Sequence, residues 1–236
     1  MFEFHLGDKL SVPSALFKDP VFLTGRAGQG KSITFLKIVF DLIRNKQSGV
    51  IVDPYGDLAG KIKEKSEAAG QAGNLVFGDF SMSLAALRSA LEKGKLVVVA
   101  SRLLVDGERK SREAGIKFLK RYFKCAKKGQ WFLIDEAFAF LDDEIFDDYL
   151  AVKKKGLNVL FCDQGFAKLS VAERSKLART FGAMIIYKMG NFDALCLAKC
   201  FPEINTKNVA AIQQFHYQFV RGGKVTYHAG VWPLEL

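Results

Sequence analysis

Short apolar runs alternate along the chain with longer stretches in which apolar residues recur at helical spacing. This alternation is typical of parallel β-strands joined by crossover helices. The pattern therefore predicts an α/β fold with a mostly parallel sheet and helices on both faces. The predicted strands are Val21–Thr24, Gly49–Asp53, Leu75–Phe77, Leu96–Ser101, Trp131–Asp135, Asn158–Cys162 and Ala183–Tyr187.

Two helices and a hairpin stand out within this pattern. The clearest helix begins at Lys31 and covers KSITFLKIVFDLIRNK, and a second runs from Glu108 to Lys128 with basic residues on its polar face. Near the carboxyl terminus, residues Phe215 to Tyr227 alternate around Gly222-Gly223. Adjacent glycines between alternating segments indicate a turn, so we predict a β-hairpin that closes one edge of the sheet.

Composition limits the size and the partners of this fold. The chain has 236 residues, of which 49% are hydrophobic, and no internal repeat or Pro/Ser-rich linker divides it. We therefore predict a single domain over residues 1–236. Lys and Arg exceed Asp and Glu by 35 to 25, a net charge of +10. Such a surface attracts polyanions such as nucleic acid or anionic membrane, although charge alone does not decide between them.

The cysteines and the hydropathy indicate the compartment. The four cysteines form neither a CxxC pair nor a Cys/His zinc pattern, which favours reduced thiols in the core over a metal site. No apolar run reaches the ~18 residues that span a bilayer, and the amino terminus lacks a secretion signal. We expect a cytoplasmic protein without a transmembrane segment of its own. The cysteines are Cys125, Cys162, Cys196 and Cys200.

A glycine-rich segment joins the first predicted parallel strand to the helix that begins at Lys31. It fits G-x-x-x-x-G-K-[ST], in which glycines let backbone N–H groups face phosphates and the helix amino terminus adds its dipole. In this pattern Lys31 neutralises phosphate charge and Ser32 offers its hydroxyl to Mg²⁺. The predicted ATP site also includes the next helical residue, Ile33. The segment is Gly25, Arg26, Ala27, Gly28, Gln29, Gly30, Lys31 and Ser32.

Two adjacent carboxylates end a later apolar run. Asp135 and Glu136 follow Trp131-Phe132-Leu133-Ile134. The carboxyl ends of parallel strands bind ligands in α/β sheets, so Asp135 fits as a partner of the Mg²⁺ at Ser32 and Glu136 as the base that activates water. The alternative is an acidic cap on the next helix. Beside a complete phosphate loop the catalytic interpretation is favoured, and a water-activating Glu favours hydrolysis over phosphate transfer to a bound acceptor.

Two further segments extend the pattern and carry a family resemblance. Val52-Asp53-Pro54-Tyr55-Gly56-Asp57-Leu58 follows the second parallel strand, and a stretch from Lys153 through Gly156 leads into Asp163-Gln164. With the phosphate loop and the acidic pair, they make most of the chain resemble the FtsK/HerA superfamily of P-loop ATPases that move DNA. The resemblance implies a RecA/FtsK-like fold in which Gln164 senses the γ-phosphate.

The resemblance also implies a residue that reaches into the neighbouring subunit's active site. Lys153 stands at the matching position, where family members often carry arginine, so either Lys153 or an arginine elsewhere has this role. A second departure is Asp163, where the family more often has a small or hydroxyl residue. The candidate arginines are Arg102, Arg174 and Arg179.

Ring assembly follows from the same resemblance. It implies a homo-oligomer, with a hexamer expected, whose basic loops hold double-stranded DNA without reading its sequence. Candidate basic groups are Lys153–Lys155 and the set Arg109, Lys110 and Arg112. The small size favours viral genome packaging, with a capsid vertex or membrane portal protein as partner and association with the virion. A conjugative coupling ATPase and a nucleotide-dependent switch or scaffold without translocation remain the alternatives.

Overall fold

The computed structural model describes residues 2–7, 9–101, 107–140 and 143–230. Contacts between residues divide the chain into two compact units: unit 1 is Met1–Lys37 with Leu160–Glu235, and unit 2 is Ile38–Val159. A helix and a strand each pass from one unit into the other. The boundary between the units therefore falls inside regular elements. A single domain over residues 1–236 stays a prediction.

The described residues form strands and helices in alternation. The strands are β1 (Glu3–His5), β2 (Ser11–Pro13), β3 (Val21–Thr24), β4 (Gly49–Asp53), β5 (Leu75–Gly78), β6 (Leu96–Ala100), β7 (Trp131–Ile134), β8 (Asn158–Asp163), β9 (Ala183–Tyr187), β10 (His216–Arg221) and β11 (Lys224–Ala229). The α-helices are α1 (Lys31–Arg44), α2 (Asp57–Ala68), α3 (Leu84–Glu92), α4 (Glu108–Cys125), α5 (Asp143–Lys153), α6 (Val171–Ala178), α7 (Asn191–Cys200) and α8 (Thr206–Ala210).

Unit 1 contains a sheet with strand order β11-β10-β9-β3-β8. Strand β3 is parallel to β8 and β9, while β10 is antiparallel to β9 and β11. Every residue of β3 and β9 is buried, as expected for parallel strands that are covered on both faces. Behind β3, Phe22 stacks on Phe181 with ring centroids 4.8 Å apart.

Unit 2 contains strands in the order β7-β4-β6-β5, all parallel. The start of β8 lies beside this set, because Asn158 N donates to Gln130 O at 2.9 Å. The buried Trp131 anchors the amino end of β7, where its indole N–H donates to Gln47 Oε1 at 3.3 Å. The carboxyl ends of all these parallel strands lie at one edge, where α/β folds place ligands.

The predicted fold class is confirmed. All seven predicted parallel strands are present, and β10 and β11 form the predicted hairpin around Gly222-Gly223. The predicted helices end earlier than the periodicity suggested, because Lys46 adopts a left-handed φ of 51° and Ala126 is extended. The antiparallel pair β1 and β2 was not predicted, since strands of 3 residues are too short to show periodicity.

The cysteines and the hydropathy of the helices can be compared with the predictions from composition. None of the four cysteines, all of which lie within the described residues, forms a disulfide, and three of them are buried, consistent with core thiols. Among the described residues, no helix combines the length and the apolar character needed to cross a membrane.

Candidate active site

The predicted phosphate loop lies between the carboxyl end of β3 and the first turn of α1. Its three glycines have positive φ angles: 143° at Gly25, 73° at Gly28 and 119° at Gly30. Residues with a Cβ rarely adopt these conformations, so the glycines allow the chain to wrap tightly before the helix starts.

Tyr187, the last residue of β9, limits the space at two of these glycines. A Cβ on Gly25 would lie 2.5 Å from Tyr187 Cβ, and one on Gly30 would lie 2.9 Å from Tyr187 Cε1. The Tyr187 hydroxyl is 2.6 Å from Thr34 Oγ1, and burial raises the pKa of this tyrosine to about 12. Tyr187 therefore supports the loop as a neutral side chain. This role of Tyr187 was not predicted, because a tyrosine at the end of an apolar strand gives no local signal of it.

Lys31 holds the two ends of the loop together. Its ammonium group donates to Gly25 O at 2.5 Å and to Arg26 O at 3.0 Å, and the residue is 8% exposed. A buried cation whose protein partners are two neutral carbonyls keeps an uncompensated charge, which favours binding of an anion. A bound phosphate would compete with the carbonyls for the same ammonium group.

The amides of the loop are available to a ligand. Among the described residues, none of the backbone N–H groups of residues 27–32 has a protein acceptor. The first N–H groups of any helix lack intrahelical partners, and here the preceding loop adds more. The donor set fits phosphate oxygens, which supports the predicted nucleotide site at Gly25–Ser32 and Ile33. Arg26, Ala27 and Ser32 are exposed on this loop.

Gln164 lies at the edge of unit 1 that carries the phosphate loop. Strands β3 and β8 pair with Thr24 opposite Asp163, so Gly25 and Gln164 are the next residues of neighbouring strand ends. Asp163 is buried, and its carboxylate accepts from Gln164 N at 2.7 Å and pairs with Lys168 at 3.4 Å. The departure from the family pattern at Asp163 thus shapes the turn that presents Gln164, which is exposed.

The acidic pair follows β7 in unit 2. Asp135 N donates to Val52 O at 3.0 Å, which extends the ladder between β4 and β7 by one residue. Glu136 is 7% exposed and has left-handed backbone angles of φ 44° and ψ 51°. A non-glycine residue in this region is uncommon, and such strain is often found at functional sites. The conformation ends the strand and starts a short 3₁₀ helix, Ala137–Ala139.

Asp53 lies in the segment Val52–Leu58, one of the segments that carry the family resemblance, and it has a local structural role. It is 1% exposed, and its carboxylate accepts from Tyr55 N at 3.2 Å and from Ala59 N at 2.8 Å at the start of α2. Burial raises the pKa of Asp53, and the backbone hydrogen bonds partly oppose that shift. Gly56, with φ 85°, makes the turn that brings these amides to the carboxylate.

The other predicted residues are distributed as follows. Lys153 is the last residue of α5 in unit 2 and is half-buried, while Lys154 and Lys155 are exposed. In unit 1, Arg174 donates to Ser170 O at 3.4 Å and Arg179 is exposed at the end of α6. Arg102 lies outside the described residues.

The predicted basic group at the start of α4 is partly engaged in local contacts. Arg109 pairs with Glu113 at 3.1 Å, and Arg112 donates to Ala139 O at 3.1 Å. Lys110 is exposed beside a cavity of about 1250 Å³ at the carboxyl ends of β4, β5 and β6. That cavity lies within unit 2 and contains none of the predicted nucleotide-site residues.

The residues fit magnesium bound through a nucleotide better than a metal site built from protein alone. In the described ranges, no group of three or more His, Cys, Asp or Glu side chains could hold a metal ion. Mg²⁺ commonly keeps several waters and takes one or two protein ligands together with substrate phosphates. Ser32 belongs to unit 1 and Asp135 to unit 2, so their sharing of one ion stays a prediction.

A phosphate loop between a buried parallel strand and a helix, within a mostly parallel α/β structure, defines the P-loop NTPase fold. No protein-family model and no curated protein matches the sequence. Solved structures do match.

The genome packaging NTPase B204 from Sulfolobus turreted icosahedral virus 2, in complex with ATP-gammaS, is 19% identical with a TM-score of 0.60, covering 90% of this chain and 97% of that chain. The bacterial conjugative coupling protein TrwBdeltaN70 is 11% identical with a TM-score of 0.68, covering 96% and 88%. VirB4 of Thermoanaerobacter pseudethanolicus is 10% identical with a TM-score of 0.67, covering 97% and 96%. The chain therefore has the fold of these proteins, as the resemblance to the FtsK/HerA superfamily predicted.

Proposed function

We propose that this protein is an ATP-hydrolysing motor that moves DNA through a ring of identical subunits, and that its task is viral genome packaging. The observation that carries the proposal is the phosphate loop, in which the backbone N–H groups of residues 27–32 have no acceptor among the described residues and the buried Lys31 contacts only the carbonyls of Gly25 and Arg26. That arrangement suits a triphosphate and has little purpose as a plain turn. The fold shared with B204 over nearly the whole of both chains supports packaging.

The proposed chemistry assigns a task to each residue. Loop amides and Lys31 bind the β- and γ-phosphates, and Ser32 with Asp135 would hold Mg²⁺, which would offset the charge that develops on the phosphates. Glu136 takes the proton from the water as its oxygen bonds to the γ-phosphorus, and the bond from that phosphorus to the β–γ bridging oxygen breaks to release ADP. Gln164, next to the loop, loses its hydrogen bond when the γ-phosphate leaves, which could switch its turn.

The DNA and ring assignments rest on charge and on fold. The net charge of +10 favours phosphate contacts that do not depend on base sequence. In a head-to-tail ring, proposed to be a hexamer, Lys153 or an arginine would act across the interface. A capsid vertex or membrane portal protein would anchor the ring. The shared fold with TrwBdeltaN70 makes a conjugative coupling role the second candidate.

Hydrolysis assays with and without DNA test the proposal. We expect Mg²⁺-dependent ATP hydrolysis that double-stranded DNA stimulates, with the stimulation falling steeply between about 50 and 200 mM salt as counterions compete. A turnover rate that is the same with and without DNA in the assembled protein would remove translocation and leave a nucleotide-dependent switch. Stimulation by single-stranded DNA alone would favour the coupling role.

A further inference from the structure

The turn before the carboxyl-terminal hairpin contacts the phosphate loop through two hydrogen bonds. The Gln214 side-chain amide donates to Gly28 O at 3.0 Å, and Phe215 N donates to Gln29 O at 3.1 Å. All of these residues belong to unit 1. None of the sequence motifs includes the turn.

These bonds fix the direction of two peptide units. In a trans peptide the C=O of one residue and the N–H of the next point to opposite sides of a plane. Holding the carbonyls of Gly28 and Gln29 towards the turn therefore directs the N–H groups of Gln29 and Gly30 away from it. Within the described part of the chain, neither of these N–H groups has an acceptor.

The neighbouring peptide shows the same relation with both partners visible. Gly25 O accepts from Lys31 Nζ at 2.5 Å, while the Arg26 N–H of the same peptide donates to Lys188 O at 2.8 Å. One side of the peptide thus faces the lysine and the other faces the protein. At Gly28 and Gln29 the carbonyl is the end that faces the protein, which leaves the N–H groups for a ligand.

The backbone of the turn is held in a costly conformation to make these contacts. Phe215 has a φ of 62°, which is uncommon for an aromatic residue, and Gly230 N donates to Phe215 O at 2.7 Å. A Cβ on Gly30 would lie 3.3 Å from Phe215 Cδ1, so the ring packs directly on the loop. Strain of this kind persists where surrounding contacts determine the conformation.

We propose that Gln214 is a positioning residue of the nucleotide site: with the Phe215 amide, it orients the N–H groups of Gln29 and Gly30 towards the phosphates. The inference rests on the proposed nucleotide site and adds a residue that lies 186 positions from its partner in the loop. If so, phosphate binding depends on the position of the turn that precedes the β10–β11 hairpin.

Titration calorimetry with ATPγS and Mg²⁺ tests this role without requiring hydrolysis or DNA. Gln214→Ala removes the donor, and we expect the Kd to rise about three- to tenfold, the range of one lost hydrogen bond. Gln214→Glu keeps the shape but cannot donate, so it should bind at least as weakly as the alanine variant. The melting temperature without nucleotide should stay close to that of the wild type for both variants.

Gln213→Ala is the matched control, since this neighbouring glutamine is also exposed and its side chain makes no hydrogen bond among the described residues. It should bind ATPγS as the wild type does. Wild-type affinity in Gln214→Ala or Gln214→Glu, or an equal loss in Gln213→Ala, would overturn the positioning role. If ATPγS affinity depended on Gln214 but the rate of hydrolysis were the same with and without DNA, the positioning role would stand and the proposed DNA motor would be rejected.

Discussion

The phosphate loop of unit 1 and the acidic pair of unit 2 both follow a buried parallel strand, but they meet the same backbone problem differently. The loop reaches positive φ angles with glycines at three positions, whereas the acidic pair places Glu136 at φ 44°. At the three glycines the proposed chemistry assigns no task to a side chain, so none is needed at those positions. At the acidic pair it needs a carboxylate, and the chain accepts a strain of about 1–3 kcal/mol to place one.

The largest expected effect separates chemistry from binding. Glu136→Gln keeps the size of the side chain but cannot accept a proton, so hydrolysis should slow by about 10²–10⁴-fold while ATP binding is retained. Single-turnover hydrolysis and equilibrium binding of ATPγS measure the two separately. Turnover near the wild-type rate in this variant would remove Glu136 from the role of base.

Lys31→Ala is the corresponding variant in the phosphate loop and serves as the control for Glu136→Gln. Lys31 both joins the end of the loop to its start at Gly25 and Arg26 and carries the charge proposed to bind the phosphates, so this variant should lose binding as well as hydrolysis. If Lys31→Ala and Glu136→Gln lost binding to the same degree, the division of work between the loop and the acidic pair would be wrong.

An intermediate effect tests how the loop depends on its glycines. Gly25→Ala should destabilise the fold by about 1–3 kcal/mol from the φ angle, and the clash with Tyr187 adds to this cost. Gly28→Ala also has a positive φ, but a Cβ there meets nothing within 4 Å, so it should cost only about 1–2 kcal/mol. Urea unfolding of both variants measures the difference. Equal losses would show that Tyr187 does not constrain the loop.

The smallest expected effect concerns Asp53, the last residue of β4, whose carboxylate accepts a hydrogen bond from Ala59 N at the start of α2. Because burial raises its pKa in the folded state, the unfolded chain releases the proton first as the pH increases. The contribution of Asp53 to stability is therefore fully present below its ordinary pKa of about 3.9 and falls as the pH rises towards the higher folded value. Asp53→Asn cannot ionise and should lack this decline.

Melting temperatures of wild type and Asp53→Asn between about pH 3.5 and 7 measure that decline as a difference between two curves. Asparagine keeps one acceptor oxygen, so the variant should also lose about 1 kcal/mol at all pH values from one missing amide bond. Parallel curves would mean that the carboxyl of Asp53 titrates alike in the folded and unfolded chains.

Much of the fold could be predicted because its signals are local. Runs such as Val21–Thr24 and Trp131–Ile134 are wholly apolar and wholly buried, as parallel strands require. Helix ends were less predictable, since they depend on single turns such as the left-handed Lys46. The hydrogen bond between Asp53 and the start of α2 was also not predicted. It forms only when the turn at Gly56 brings Ala59 N to the carboxylate at the end of β4.

The sequence alone determined the order of strands and helices and the identity of the phosphate loop, because each is specified by residues that are contiguous in the chain. Tertiary structure decided how the loop is supported: Tyr187 closes the space at Gly25 and Gly30, and Gln214 fixes the carbonyl of Gly28. These contacts join residues far apart in sequence, and they exist only after the strands have paired in register. Periodicity and motif spacing describe residues that are close in sequence, so they carry no information about contacts between residues that are far apart.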